Sequence, residues 1–409
     1  MSKETIFVQI ASYRDPELVK TLDDLIDKAA KPDNLHICVA FQFSDEDKFT
    51  KDLNKYRDDT RFTIIDIPFT DSKGACWARN YIQQYYKKET YTLQLDSHHR
   101  FAQDWDITCI EMLKGLQSRS YDKPLLTSYI PSYNPENDPK GRVDTPWGMS
   151  FDRFTPEGVV FFMPYYMERM KLHPEPARFF SAHFCFTLGQ FSEEVQHDPE
   201  YYFHGEEITL AVRAFTNGYD LFHPNKVIAW HEYTRNGRVK QWDDDKEWGN
   251  RNTYTHKKVR SLLGVDGENE IKEEKYGLGT VRTLEEYETY AGVRFKDRAI
   301  TKVTKNNVPP PGNKQDAFYQ EFKEAVGLSH NQFSSDDYEF CALIFEDKDG
   351  QQLHRKDLPG KLVNQKIKDS KEGKEWVEWI TYTGPKPDKI IIWPNSKTKG
   401  WVDKKERTL

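Results

Sequence analysis

The opening third of the chain alternates between short apolar runs and helical stretches, and few architectures accommodate that rhythm. "TIFVQIA", "LHICVAF", "RFTIIDIP", "TYTLQLD" and "PLLTSYI" are rich in β-branched and aromatic residues and read as strands. Between them, "DPELVKTLDDLIDKAA" sets Leu18, Leu22, Leu25, Ile26 and Ala29 on one helical face, with Asp15–Pro16 as a helix start. "SDEDKFTKDLNKY", "SKGACWARNYIQQYYKK" and "AQDWDITCIEMLKGL" also read as helices. Alternation at this spacing predicts an α/β fold with a doubly wound, mostly parallel sheet.

Residues 131–180 lose the rhythm and are rich in Pro, Gly and aromatics, so they read as a long irregular insert, functional or mobile. Order returns with "FSAHFCFTLG", a helix from Glu206 to Thr216 closed by Asn217–Gly218, and a strand at Lys226 to Trp230. Residues 250–295 read as helical and charged. "TKVTKNNVPPPGNKQD" is a proline-rich linker over 301–316. After a short helix, the rest reads as β, with "KDG" as a hairpin turn. The expected organisation is a domain over 1–300, the linker, and a small β-rich domain over 317–409.

A net charge of -7 argues against non-specific binding to nucleic acid or to a membrane surface. The five cysteines are scattered, odd in number and without a CxxC, so a disulfide framework is not expected. No signal peptide or membrane-length apolar window is read, and the expected location is cytoplasmic.

Open α/β sheets bind ligands at the carboxyl ends of their strands. Three segments lie there: Ser12 and Arg14 after the first strand, Gln42 after the second, and Asp96-Ser97-His98 after the fourth. Asp96 and His98 are two apart, so an extended chain points both to one side and turns His99 away. A carboxylate oxygen with an imidazole nitrogen suits Mn2+ better than the all-oxygen set Mg2+ prefers. The bare triplet also fits an ordinary strand-end turn. A third ligand is needed, and His231 in "IAWHEYTR" is the candidate; it equally fits a satisfied histidine at a sheet edge. Glu206 and Glu207 open a helix, where the dipole favours acids; the functional reading has Glu206 binding sugar hydroxyls beside Gly205. Gly74 and Arg79 sit near a helix start, where a guanidinium could grip a diphosphate or join a surface ion pair. His183 is either a sugar-pocket or a core histidine.

Taken in order, "VQIASYRD", "KGACWARN", "LQLDSHHRF", "FHGEE", "WHEYTR" and "YGLGTVRTLEEYETYAGV" resemble glycosyltransferase family 60, over about residues 1–300. That family includes polypeptide α-N-acetylglucosaminyltransferases acting on hydroxyproline, and is similar to the mucin-type polypeptide N-acetylgalactosaminyltransferases. The resemblance implies a GT-A fold, a UDP-sugar donor, with UDP-GlcNAc the expected one, and retention of configuration. It implies Mn2+ (or Mg2+) held by Asp96, His98 and His231, and a sugar contact at Gly205, Glu206 and Glu207, with Glu207 standing where those relatives have Asn. It also points to Arg79 and, after the distal histidine, Arg235 as donor-binding residues. The resulting expectation is metal-dependent transfer of a sugar to a hydroxyl of a protein, peptide or glycan, with the C-terminal domain a candidate for homo-oligomerisation. The competing reading is a non-catalytic UDP-sugar or carbohydrate-binding protein.

Overall fold

The computed structural model describes residues 4–167, 171–234, 237–271 and 275–409. They form two compact units, Met1–Lys296 with Asn307–Lys314, and Asp297–Asn306 with Gln315–Leu409. The proline-rich stretch 301–316 is divided between the two: its prolines go with the first unit, and the helical turn Lys302–Lys305 with the second.

The first unit opens with β1 (Ile6–Tyr13), α1 (Leu18–Asp27), β2 (Leu35–Phe43), β3 (Phe62–Pro68), α2 (Ala75–Gln83), β4 (Tyr91–Asp96), β5 (His99–Phe101), α3 (Trp105–Gln117) and β6 (Pro124–Thr127). It continues with β7 (Trp147–Phe154), β8 (Val160–Tyr166), β9 (Glu175–Pro176), β10 (Phe184–Leu188), α4 (Phe191–Glu194), α5 (Glu206–Thr216), β11 (Asp220–His223) and β12 (Ala229–His231). After these come α6 (Gln241–Asp244), α7 (Trp248–Leu263) and α8 (Leu284–Ala291). The main sheet has the order β3-β2-β1-β4-β10-β6-β11-β9. β3, β2, β1 and β4 are parallel, β10 runs antiparallel between β4 and β6, and β11 is parallel to β6. This is the mostly parallel, doubly wound α/β sheet expected of a GT-A fold.

Both faces of the sheet are covered because its central strands are apolar on both sides. On one face, Val8, Ile10, Leu93 and Leu95 pack with Leu18, Leu22 and Leu25 of α1 and with Trp105 and Leu113 of α3. On the other, Phe7, Cys38 and Ala40 meet Ala78 and Ile82 of α2. The polar stretch after β2 forms a 3-10 run, Lys48–Tyr56, that buries only Leu53 and Tyr56. The chain leaves β1 toward β2 on one side, while β4 pairs on its other side, which opens a crevice at the strand ends. Register sets Ala11 opposite Asp96 and Tyr13 opposite Gln42 at that crevice.

Two expectations are revised. The insert 131–180 is not wholly irregular: β7 and β8 form an antiparallel hairpin stabilised by cross-strand pairs such as Trp147 with Tyr166. In the second unit, the segment after the proline-rich stretch is the strand Glu321–Leu328, paired along its length with Trp376–Thr383, rather than a short helix. Long-range pairing overrides a weak local preference there. The helix of this unit is Gly360–Lys371, which buries Val363 and Ile367 one turn apart against a sheet built around Tyr338–Glu346. The KDG turn is confirmed, with Gly350 at φ 79°.

All five cysteines are buried and free. Among the described residues, no helix is long and apolar enough to cross a membrane.

Leu93 is fully buried in β4 between two neighbouring strands. Leu93→Ala is expected to cost about 2–5 kcal/mol, read as a lowered urea midpoint with an unchanged slope.

Candidate active site

The crevice at the ends of β1, β2 and β4 opens into a cavity of about 750 Å3. Its walls include Gln42, Gly74, Arg79, Asp96, His98, His183, Glu206, Glu207 and His231, nine of the residues singled out in the sequence. The short ladder β5–β12 explains how distant histidines meet. It pairs His231 with His99, and the Glu232 N–H donates to the His98 carbonyl at 3.1 Å.

One ligand atom each from Asp96, His98 and His231 lies within 4.8 Å of the others. His231 Nε2 is 3.3 Å and His98 Nε2 3.7 Å from Asp96 Oδ2. The other His98 nitrogen, Nδ1, is 2.8 Å from Asp15 Oδ2. With Nδ1 engaged by Asp15, Nε2 is the nitrogen on the Asp96 side, the arrangement that orients metal-ligating histidines. Burial would raise the Asp15 carboxyl, but the His98 hydrogen bond and the Arg238 charge outweigh it and bring it down to about 2. Burial lowers His231 well below the usual histidine range, so its imidazole is neutral at pH 7. Burial alone would raise Asp96, but the His231 hydrogen bond and Arg79 hold it well below the usual carboxylate range. One carboxylate oxygen and two imidazole nitrogens fit a borderline divalent ion such as Mn2+.

His231 is packed among rings: His183 stacks on it at 4.4 Å, His98 lies at 4.6 Å, His99 at 4.9 Å and Tyr233 at 4.3 Å. His99 turns away from the cavity as alternation requires; it is fully buried, with Nδ1 3.0 Å from the Asp96 carbonyl. His183 Nε2 accepts the Ile130 N–H at 3.2 Å, so it is a cavity-wall and a packed histidine at once.

Arg79 is buried rather than free to grip a diphosphate. Its guanidinium donates to Asp96 Oδ1 at 2.6 Å and to both Glu206 oxygens at 3.0 and 3.1 Å. Glu206 in turn accepts from the Cys76 thiol at 2.6 Å. Its carboxylate thus faces Arg79 and Cys76 as well as lining the cavity. Glu207 accepts from the Tyr129 hydroxyl at 2.8 Å and the Ala182 N–H at 2.9 Å. Burial, reinforced by Glu206, raises Glu207 to about 7. Gly74 takes φ 109° at the start of α2, and a Cβ there would sit 3.0 Å from the Tyr202 ring.

Other expected residues fall differently. Ser12 is fully buried with an unpartnered hydroxyl, and its carbonyl accepts from Gln42 at 3.2 Å. Arg14 is outside the cavity lining; it pairs with Asp47 at 2.9 Å and Asp244 at 3.1 Å over the Phe69 ring. Arg235 lies outside the described residues. Among the described residues, the guanidinium that reaches the cavity after the distal histidine is Arg238, buried against Asp15 at 3.3 Å and Glu232 at 2.6 Å. Sequence reading also missed Asp15, Tyr129, Trp147, Tyr233 and Trp242. Asp15 had one usable sign: it directly follows the first strand, where its Oδ1 caps the Glu17 N–H while Oδ2 serves His98.

Over residues 5–60 and 52–297 the chain matches the family described as glycosyltransferase (GlcNAc), and it belongs to that family. Among solved structures it is similar to GalNAc-T7 with UDP, GalNAc and Mn2+, at 15% identity and a TM-score of 0.48, covering 64% of this chain and 48% of that one. It is also similar to S. aureus TarS 1-349 in complex with UDP-GlcNAc, at 14% identity and a TM-score of 0.39, covering 65% of this chain and 68% of that one. The chain thus spans about half the length of the GalNAc-T7 chain. No curated protein matches it in sequence.

Asp15→Asn is expected to weaken Mn2+ binding about 10–100-fold by releasing the His98 ring, read by Mn2+ paramagnetic resonance. Glu207 holds its proton more tightly in the folded chain than in the unfolded one. Its stabilising effect is therefore full below the unfolded pKa and lost as pH rises through about 7. Relative to Glu207→Gln, the wild-type chain should lose on the order of 3 kcal/mol of unfolding free energy across that window. A flat difference would show that the carboxyl is not buried as described.

Proposed function

We propose that the protein transfers N-acetylglucosamine, with retention, from UDP-GlcNAc to a hydroxyl acceptor, in the manner of glycosyltransferase family 60. The acceptor hydroxyl belongs to a protein Ser, Thr or hydroxyproline, or to a glycan. The observation that carries the reading is the convergence of Asp96, His98 and His231 at the strand-end crevice of a chain in the GlcNAc glycosyltransferase family.

Asp96, His98 and His231 would hold Mn2+, or Mg2+ in its place. The ion would supply Lewis-acid neutralisation of the departing diphosphate. The protein's own residues supply position. Asp15 fixes the His98 ring, and Arg79 holds Asp96 Oδ1 so that Oδ2 faces the histidines. Arg238 adds a fixed guanidinium at the same wall. Gln42 and Gly74 line the side where a nucleoside would lie, and the missing Cβ of Gly74 lets the Tyr202 ring close against the backbone there. Glu206, Glu207, His183 and Tyr129 line the side a sugar would occupy. Front-face displacement requires no carboxylate nucleophile, so the engagement of Glu206 with Arg79 is compatible with this reaction.

The test is a panel of UDP-sugars with Mn2+, scored by UDP release. UDP-GlcNAc is expected to turn over, and EDTA to stop it. Asp96→Ala should lower kcat/KM on the order of a thousandfold or more, since several kcal/mol of charge stabilisation are lost. Turnover that survives both EDTA and Asp96→Ala would sink the mechanism. Saturable binding without UDP release from any donor would sink the transferase reading of this site.

A further inference from the structure

The second unit carries an aromatic face that the transfer reaction does not use. Strands Tyr338–Glu346 and Lys389–Ser396 are adjacent and antiparallel, with Gln352–Pro359 beside the first and Gly400–Trp401 and Lys405–Thr408 beside the second. Alternation sends Cys341, Leu343 and Phe345 into the core under the helix Gly360–Lys371. It sends Phe340, Ala342 and Ile344, with Ile391 and Trp393, to the opposite face. Trp401 joins them there and is 42% exposed. Its ring lies 4.6 Å from Trp393, tilted by 46°, and 5.2 Å from Phe340, edge-on.

The rim of this cluster is charged but self-neutralised. Arg355 and Asp357 stand beside Ile344 and Ala342 in register and pair at 2.7 Å. Glu406 stands beside Ile391 and pairs with Lys404 at 2.8 Å. Arg355 also lies 5.7 Å from the Trp401 ring centre and Lys404 5.3 Å from that of Trp393. The four charged side chains are all partly exposed. The rim thus offers donors and acceptors together with no net charge from these pairs.

We propose that this face binds a neutral glycan, with a pyranose ring stacked on Trp401 and Trp393 and its hydroxyls shared between the Arg355–Asp357 and Lys404–Glu406 pairs. A pyranose presents an apolar C–H face to an aromatic ring and a rim of hydroxyls that both donate and accept. The balanced rim is complementary to that ligand. A phosphate- or sulfate-bearing polymer would call for a cation surplus at these positions. Lys397 and Lys399 in the adjoining turn make an anionic polymer the alternative to test. The proposal is independent of the transfer reaction, because it uses none of the residues lining the cavity.

The full chain is titrated with chitohexaose, cellohexaose and maltohexaose, and with heparin as the anionic comparison, by calorimetry and tryptophan fluorescence. At least one neutral hexasaccharide is expected to bind with little dependence on salt. Trp401→Ala and, separately, Arg355→Ala should each weaken it about tenfold or more, with an unchanged circular dichroism spectrum. Trp379→Ala, which removes a 60%-exposed tryptophan on the other sheet of this unit, should leave it unchanged. Asp96→Ala should also leave it unchanged, which separates this site from the cavity, and Trp401→Ala should leave UDP release unchanged. The proposal is overturned by absence of binding to all three hexasaccharides, by binding that withstands both Trp401→Ala and Arg355→Ala, or by binding of heparin alone with steep salt dependence.

Discussion

The geometry of the cavity depends on one buried cation. Arg79 lies on α2, Asp96 at the end of β4 and Glu206 at the start of α5, and the guanidinium joins all three. A guanidinium is suited to this because its fork donates in several fixed directions. Removing one partner from such a buried set leaves an uncompensated charge, which costs about 3–5 kcal/mol. The three elements are therefore locked in mutual orientation by electrostatics in addition to packing. The consequence is directional: with Oδ1 committed to Arg79, only Oδ2 of Asp96 is left to face His98 and His231.

Asp15 performs the matching task on the other side. Its Oδ2 accepts from Ser97 at 2.7 Å and faces His98 and Arg238, while its Oδ1 starts α1. A single carboxylate thus ties the helix start to the ligand turn and to the segment after β12. Four imidazoles then fill the space between these two anchors. Burial, with the charge of His98 adding to it, holds His99, His183 and His231 well below the usual histidine range, so these three pack as neutral rings. The neutral state that permits close packing is also the state that can ligate a metal.

The parts of this structure that were legible in the sequence are those set by local periodicity. Strands β1 to β4 and β6 follow from runs of β-branched and aromatic residues, α1 to α3 from helical stretches between them, and α5 from an acidic start and an Asn–Gly end. Asp96 and His98 were legible because a strand end in an α/β sheet is a privileged place. Arg79 was found as a residue but its role changed, since nothing in "KGACWARN" reveals that Glu206 and Asp96 converge on it. Asp15 was read only as a helix start, because its second bond reaches 83 positions along the chain. Arg238 was not singled out because spacing from a motif does not account for how the chain turns after β12. The helix Gly360–Lys371 was missed because its core contact rests on few apolar residues, Val363 and Ile367 among them, in an otherwise polar stretch.

The charge balance of the cavity bears on why the proposed donor and the proposed ion belong together. Its lining carries Asp15, Asp96, Glu206 and Glu207 against Arg79, Arg238 and Lys240. Arg79 is already shared by two of those acids, and Arg238 is held by Asp15 and Glu232. The lining therefore offers a diphosphate no surplus of positive charge. In a cavity of low dielectric, an uncompensated phosphate would be repelled by these carboxylates. A divalent ion at Asp96, His98 and His231 would reverse that balance at the point where the leaving group must develop charge. On this reading the arginines build the ligand set and the bound cation meets the phosphates. Donor binding should then be as sensitive to loss of the ion as the chemical step is.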